Sequence, residues 1–319
     1  MASRTLAATF ASGLILVSPG MHAQTYPTKP VRIVAGEVGG GGDFGARIIA
    51  QALAAPLGQQ VIIDNRGGTV VPLEIVKKSP ADGYTLLYYG ASLWLLPFMR
   101  DNVTWDPIKD FAPITLAVSS PNLIVAHPSL AANSVKELIA LGKTKPGALS
   151  YASGITGSSS HLAAELFKSM AGVSIVRVPY KGNGPALTGV MNGEVQMIFA
   201  TPGSVTQHLK AGRLKALAVS TPQPSALMPG LPTVAASGLP GYEAVGIIGF
   251  LAPAKTPGPV IQRLNQEIVR VLALPDVKER FFNSGVDTVG SSPEEFGAKI
   301  KSEMARLGKV IKDAGIRAE

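Results

Sequence analysis

Two glycine-rich segments carry residue types that could bind an anion. The first runs from Gly36 to Asp43, after a short apolar run and before a segment of helical character. Glycine lacks a Cβ atom, so it permits unusual backbone angles and a close approach of a ligand to the backbone. Free N–H groups at the start of a helix also favour an anion. We therefore expect a ligand to contact this segment at Glu37, Val38, Gly39, Gly40 and Gly41.

The second segment runs from Gly154 to His161 and has the same place between an apolar run and a helical segment. Its hydroxyls and N–H groups should converge on one point, where they could bind a carboxylate oxygen. One of its three serines must cap the helix that follows, and Ser160 is the candidate. The ligand contacts predicted here are Thr156, Gly157, Ser158 and Ser159.

Four further residues lie at or just after the ends of predicted strands and are candidates for the same site. Ser92 follows the third strand, Tyr180 lies in a Pro-Tyr-Lys-Gly turn, and Ala200 and Thr201 end a later strand. The aromatic residues Tyr88, Trp94 and Phe98 are weaker candidates, because core packing explains them equally well.

The patterns typical of enzymes are weak in this chain. There is no cysteine, which excludes thiolate metal sites and cysteine nucleophiles. His127, His161 and His208 are far apart and have no metal-ligand spacing, so surface or helix-end positions are expected for them. The second segment also lacks a G-x-S-x-G motif, because His161 replaces its last glycine. We expect no catalysis, no cofactor and no metal.

An NAD-dependent oxidoreductase with a Rossmann-like first domain remains an alternative. Residues 40–45 formally match G-x-G-x-x-G, and Asp64 ends the next strand, where it would reach a ribose hydroxyl. Four consecutive glycines make such a match easy to reach by chance.

Short apolar runs alternate with helical segments over most of the chain, which predicts two α/β units built on doubly wound parallel sheets. In the first unit, Val31–Ala35 is a predicted strand and Phe44–Leu57 a predicted helix with Asp43 as its N-cap. In the second unit, a helix is predicted over 160–170. We predict a lobe of residues 24–121 plus 245–319 and a lobe of residues 122–244. Two crossings between the lobes would form a hinge beside a cleft.

Residues 1–23 resemble a secretory signal peptide, with Arg4, the short apolar run 6–17 and a cleavage site near Ala23. This predicts export, to the periplasm in a bacterium. The formal net charge of +8 suits a basic surface or an anionic ligand, and no Lys/Arg run interleaved with aromatics indicates nucleic-acid binding.

Many separate motifs in order resemble the Bug family, the solute receptors of tripartite tricarboxylate transporters. The resemblance covers nearly the whole chain and rests on the leader 26–34, the first glycine segment with Asp43, and the motifs at 64–66, 81–86, 105–107, 110–113, 160–167, 178–182, 231–234 and 238–242. It implies a type II periplasmic-binding-protein fold that closes on its ligand. It also implies that both glycine segments hold the carboxylate of a small organic acid, and that the partner is a membrane transporter or, alternatively, a sensor histidine kinase. We expect the protein to be a monomer.

Two departures from the family pattern concern the site. The first glycine segment is one residue shorter than usual, and Glu37 stands near the usual Phe. The later strand usually ends in Phe-Asp, whereas here it ends in Phe199-Ala200. Ala200 offers no acceptor for an amine, which predicts that a plain carboxylate binds better than an amino acid.

Overall fold

The computed structural model describes residues 26–36, 38, 41–154 and 156–318. Residues 1–23 with the predicted cleavage site, and the predicted contacts Glu37, Gly39 and Gly40, lie outside the described residues. The strands are β1 (Val31–Ala35), β2 (Val61–Asn65), β3 (Thr85–Gly90), β4 (Phe111–Pro121), β5 (Leu123–Ala126), β6 (Leu149–Ser153), β7 (Ile175–Pro179), β8 (Met197–Ala200), β9 (Lys215–Val219), β10 (Val245–Pro253) and β11 (Asp287–Thr288).

The helices alternate with these strands. They are α1 (Gly41–Leu57), α2 (Val71–Lys77), α3 (Ser92–Met99), α4 (Val135–Thr144), α5 (Ser159–Ala171), α6 (Asn183–Met191), α7 (Pro202–Lys210), α8 (Gly258–Leu272), α9 (Pro275–Asn283) and α10 (Pro293–Asp313). None of the described helices is both long and apolar enough to cross a membrane.

Two sheets organise the molecule. The first has six strands in the order β11-β4-β10-β3-β1-β2, and the second has five in the order β7-β6-β8-β5-β9. Strands β1, β2 and β3 are parallel, as are β6, β7 and β8. These two sets place their carboxyl ends at one edge of each sheet, where a doubly wound fold binds ligands.

Neither sheet is wholly parallel, in contrast to the prediction. β10 is antiparallel to β3 and β4, and β5 is antiparallel to β8 and β9. Each of these two strands directly follows a passage of the chain from one sheet to the other. The passage brings the chain in from the ligand edge, so the next strand runs opposite to its neighbours.

Asn122 links the two passages between the sheets. It separates β4 from β5 and is buried, and its Nδ2 donates to the carbonyl of Ala244 just before β10 (2.9 Å). Its own N–H donates to Ser220 Oγ (2.7 Å), and that hydroxyl donates to the same Ala244 carbonyl (2.7 Å). The passages are therefore hydrogen-bonded to each other.

One local prediction for the first unit was wrong, and one helix was missed. Helix α1 begins at Gly41, so Asp43 lies in its first turn rather than at the N-cap. The Asp43 carboxylate instead pairs with Arg47 (2.7 Å) and accepts from Asn65 Nδ2 (3.0 Å). Helix α3 was not predicted, because it is buried on most sides and contains Pro97, so it lacks the helical period.

Candidate ligand-binding cleft

A cavity of about 630 Å³ lies between the two sheets at the carboxyl ends of their parallel strands. We call it the apolar compartment, because the described side chains that line it include no charged group. Its apolar wall consists of Phe44, Tyr88, Val118, Ile247, Ile248, Phe281 and Val286. Its hydroxyl-bearing wall consists of Ser92, Ser120, Ser158, Ser159, Thr201 and Ser284.

A second cavity of about 720 Å³ adjoins the first, and we call it the basic compartment. Arg100, Arg177 and Lys181 line it, and none of its described lining residues is acidic. Thr156 and Tyr180 also belong to its wall. Ser92, Gly157 and Ser158 line both cavities and form a waist between them. The two cavities are therefore parts of one cleft.

Three helices begin at this cleft. Ser92 is the first residue of α3, Ser158 is the N-cap of α5, and Thr201 is the N-cap of α7. Each follows a strand from which the chain turns into the helix. Because the first N–H groups of a helix have no intrahelical acceptor, each start presents partial positive charge. The starts of α3, α5 and α7 thus create a positive potential where no described carboxylate opposes it.

Ser158, not Ser160, caps α5, so the predicted cap was wrong. Ser158 has an extended backbone and its Oγ accepts from the N–H of His161 at 3.4 Å. Gly157, with φ of +79°, turns the chain into this position. Ser158 Oγ also contacts Ser160 Oγ at 3.1 Å. A hydroxyl predicted to bind the ligand therefore also holds the helix start.

His161 lies in the first turn of α5, in agreement with the predicted helix-end position, but it is buried rather than at the surface. Its Nδ1 accepts the N–H of Gly157 at 3.0 Å. Burial, reinforced by the nearby charge of Arg177, lowers the pKa of His161 to about 4, which keeps the ring neutral. The Gly157 N–H is thus engaged within the loop and is not free for a ligand.

Arg177 fixes the opposite side of the second glycine segment. Its Nε donates to Ser153 Oγ (2.7 Å), and its Nη2 donates to the Gly154 carbonyl (3.2 Å) and to Thr156 Oγ1 (3.1 Å). The guanidinium is therefore held in place at the wall of the basic compartment. Thr156 is a predicted ligand contact, and its hydroxyl oxygen already accepts one hydrogen bond from this arginine.

Ser159 connects the cleft to the passages between the sheets. Its hydroxyl accepts from Asn122 Nδ2 at 2.8 Å and lines the apolar compartment. Asn122 is the residue that links both passages. A ligand that contacts Ser159 would therefore act on the group that joins the two halves of the molecule.

The first glycine segment is tied at both ends by Asn65. The Asn65 Nδ2 group donates to the Gly36 carbonyl (2.8 Å) as well as to Asp43. Cβ atoms built on Gly36 and Gly42 would meet nothing within 4 Å, and neither glycine has a positive φ. Packing among the described residues thus does not explain glycine at either position. Of the predicted contacts, Gly41 is the first residue of α1 and Val38 is 73% exposed.

Several predicted residues lie in the core or only border the cleft. Ala200 is buried in strand β8 and lines neither compartment, whereas the next residue, Thr201, lines the apolar one. The Tyr180 ring borders the basic compartment, but its hydroxyl lies against Gly189, and burial with nearby Glu194 raises the Tyr180 pKa. Trp94 packs in the core against Phe296, and Phe98 against Gly308.

The surroundings of Asp64 do not support the NAD-dependent alternative. Asp64, the predicted ribose ligand, is held in ion pairs with Arg32 (3.3 Å) and Arg66 (2.8 Å). Among the residues that the structure describes, no group of three or more His, Asp or Glu side chains could hold a metal ion.

Sequence reasoning missed most of the apolar wall. Val118 lies on β4, Ile248 on β10, and Phe281 on α9, far along the chain from the glycine segments. Their apolar character predicted only core burial. The sequence offered one signal, Phe44, because a large apolar side chain follows the glycine run there. In the structure this side chain is 45% exposed.

Comparison with known proteins agrees with this geometry. Residues 45–316 match the family model described as "Tripartite tricarboxylate transporter family receptor". The chain is 32% identical over 318 residues to BugT from Bordetella pertussis, which covers 96% of each chain. It is 34% identical to an R. palustris structure with adipate, at a TM-score of 0.75 over 92% of this chain and 100% of that one. It is 26% identical to MatC from Rhodopseudomonas palustris with bound malate, at a TM-score of 0.73 over 90% of this chain and 100% of that one.

These findings confirm the resemblance to the Bug proteins, and the solved neighbours confirm the predicted type II periplasmic-binding-protein fold class. The matched model and the BugT alignment both span most of the sequence. This chain therefore belongs to the family of periplasmic solute-binding receptors of tripartite tricarboxylate transporters.

Proposed function

We propose that this receptor captures a small organic carboxylate in the cleft and passes it, chemically unchanged, to a tripartite transporter in the membrane. The observation that carries this proposal is the meeting of three helix starts, those of α3, α5 and α7, at a cleft whose described lining includes no acidic residue. Such an arrangement stabilises an anion. The adipate and malate in two solved neighbours support the same ligand class.

The proposal includes movement of two lobes. Residues 24–121 with 245–319 would form one lobe around the first sheet, and residues 122–244 the other around the second. The protein would act as a monomer in the periplasm after cleavage near Ala23. The predicted contacts Glu37, Val38, Gly39, Gly40, Gly41, Ser92, Thr156, Gly157, Ser158, Ser159, Tyr180 and Thr201 would surround the ligand, whereas the core position of Ala200 argues against a direct contact.

Thermal unfolding with a panel of carboxylates and their matched amides tests the proposal. A ligand that binds only the folded state raises the melting temperature as its concentration exceeds Kd. We expect at least one carboxylate to stabilise the protein and its neutral amide to fail. Equal stabilisation by the amide, or none by any carboxylate, would contradict the proposal. Mass spectrometry of the small molecules released from denatured protein would then identify the natural ligand.

A further inference from the structure

The apolar compartment has a wall of apolar side chains, one of which is well exposed. Phe44 is 45% exposed on helix α1 and packs edge-to-face against Phe281, with the ring centroids 6.4 Å apart. Val118, Ile248 and Val286 continue this wall, and no charged side chain of the described residues interrupts it. A cavity of about 630 Å³ is large enough for an organic molecule with a body of several carbons. The burial of apolar surface is its main means of binding.

The basic compartment on the other side of the waist has the opposite character. Arg177 is held there by hydrogen bonds, and neither Arg100 nor Lys181 forms an ion pair with a described carboxylate. At the waist, Ser92 and Ser158 present hydroxyls at the starts of α3 and α5. Of the two compartments, the basic one alone has cationic side chains among its described lining residues, whereas the apolar one offers an anion only hydroxyls and helix starts.

We infer that the ligand is a monocarboxylate with an apolar body, whose carboxylate lies at the waist and whose aliphatic or aromatic body fills the apolar compartment. This inference rests on the proposed function and specifies the ligand class. A second carboxylate placed in the apolar compartment would lose its hydration and meet no cation among the described residues, which is costly. A dicarboxylate with its second charge in the basic compartment would leave the Phe44 wall in contact with water.

Calorimetry with two six-carbon acids tests the inference, because hexanoate and adipate differ in the second carboxylate. We expect hexanoate, and 3-phenylpropionate as an aromatic probe, to bind at least about tenfold more tightly than adipate, a difference of about 1.4 kcal/mol. Tighter binding of adipate would overturn the inference and leave the proposed function intact. Failure of hexanoate and 3-phenylpropionate to bind, with stabilisation by another carboxylate of the panel, would overturn the inference alone, and failure of every carboxylate to bind the folded protein would overturn both.

Two matched variants locate the apolar body. Phe44→Ala removes a ring from the wall of the apolar compartment, whereas Phe282→Ala removes a ring of nearly equal exposure, 46%, that lines neither compartment. We expect Phe44→Ala to weaken 3-phenylpropionate binding about tenfold and to change adipate binding little, and Phe282→Ala to change neither. Equal effects of the two variants, or no effect of Phe44→Ala, would show that the apolar body does not lie in this compartment.

Discussion

The backbone of Gly203 touches that of Ser284 across the cleft. A Cβ atom on Gly203 would lie 2.5 Å from the Ser284 carbonyl oxygen, and one on Gly285 would lie 2.5 Å from the Gly203 nitrogen. Gly203 is the second residue of α7, next to the second sheet, and Ser284 ends α9, next to the first. The two halves of the molecule therefore meet here without an intervening side chain, beside Thr201 and Ser284 of the apolar compartment.

Gly203→Ala should hold the two halves apart. Its methyl group cannot fit against a backbone carbonyl that has no rotamer to change, so the contact with Ser284 would be lost. We expect ligand affinity to fall about tenfold or more and the ligand-induced decrease in the radius of gyration to shrink. Calorimetry and small-angle scattering measure these effects.

Gly184→Ala is the control for this variant. Gly184 is likewise the second residue of a helix, α6, and its Cβ would meet nothing within 4 Å. The Gly184→Ala variant should bind the ligand and close on it as the wild type does. Closure of Gly203→Ala to the wild-type radius would show that the contact is not part of the closed state.

Gly42→Ala should increase the stability of the protein and weaken the binding of its ligand. Gly42 is the second residue of α1, and alanine there meets open space, so the substitution should stabilise the empty protein by roughly 0.5–1 kcal/mol. If a ligand approaches the backbone at this helix start, the added methyl group should weaken its binding. Chemical denaturation and calorimetry should therefore give effects of opposite sign.

Gly258→Ala is the matched control for Gly42→Ala. Gly258 is the first residue of α8, its Cβ also meets nothing within 4 Å, and it lines neither compartment. We expect no change in binding, whereas Pro259 directly after this residue disfavours a helical alanine and opposes a gain in stability. Unchanged affinity in Gly42→Ala would place the ligand away from the first glycine segment.

Ser158→Asp should abolish binding while it keeps the fold. Aspartate caps helices as well as serine does, so the start of α5 should remain stable to within about 0.5 kcal/mol. The new carboxylate would lie at the waist and repel an anionic ligand, and affinity should fall more than about tenfold. The same experiment with Ser158→Asn, which caps without charge, isolates the electrostatic part.

Ser134→Asp controls for the effect of an acidic cap in general. Ser134 caps α4 through the Glu137 N–H at 3.2 Å and lines neither compartment. Binding by this variant should equal that of the wild type. If Ser158→Asp also binds normally, the carboxylate does not lie at the waist.

Local sequence patterns determine some features of this fold, and others depend on how distant segments come together. The alternation of strands and helices follows from apolar runs and glycine turns, which act within a few residues. Local sequence does not determine which of Ser158, Ser159 and Ser160 caps the helix, because all three residues can cap. The positive φ of Gly157 decides between them. The walls of the compartments depend on which distant strands become neighbours, so the contact of Phe44 with Phe281 has no local signal.

His161 should make the protein less stable in acid. Burial lowers its pKa to about 4 in the folded state, below the ordinary value of about 6.5 that an unfolded chain would show. As the pH falls below about 6.5, the unfolded chain binds a proton that the folded state does not, so the free energy of unfolding decreases. Protonation would also replace the Nδ1 acceptor of the Gly157 N–H with a donor, while Arg177 and Lys168 oppose the added charge and Glu165 favours it.

His161→Asn tests this dependence, because its amide oxygen can accept the Gly157 N–H but does not titrate. Between about pH 7 and pH 5, the wild type should lose roughly 1–2 kcal/mol more of its free energy of unfolding than this variant does. Urea denaturation at several pH values measures the difference, and NMR titration of the ring reports the pKa directly. Parallel stability profiles of the two proteins, or a ring that titrates near 6.5, would show that burial does not keep His161 neutral.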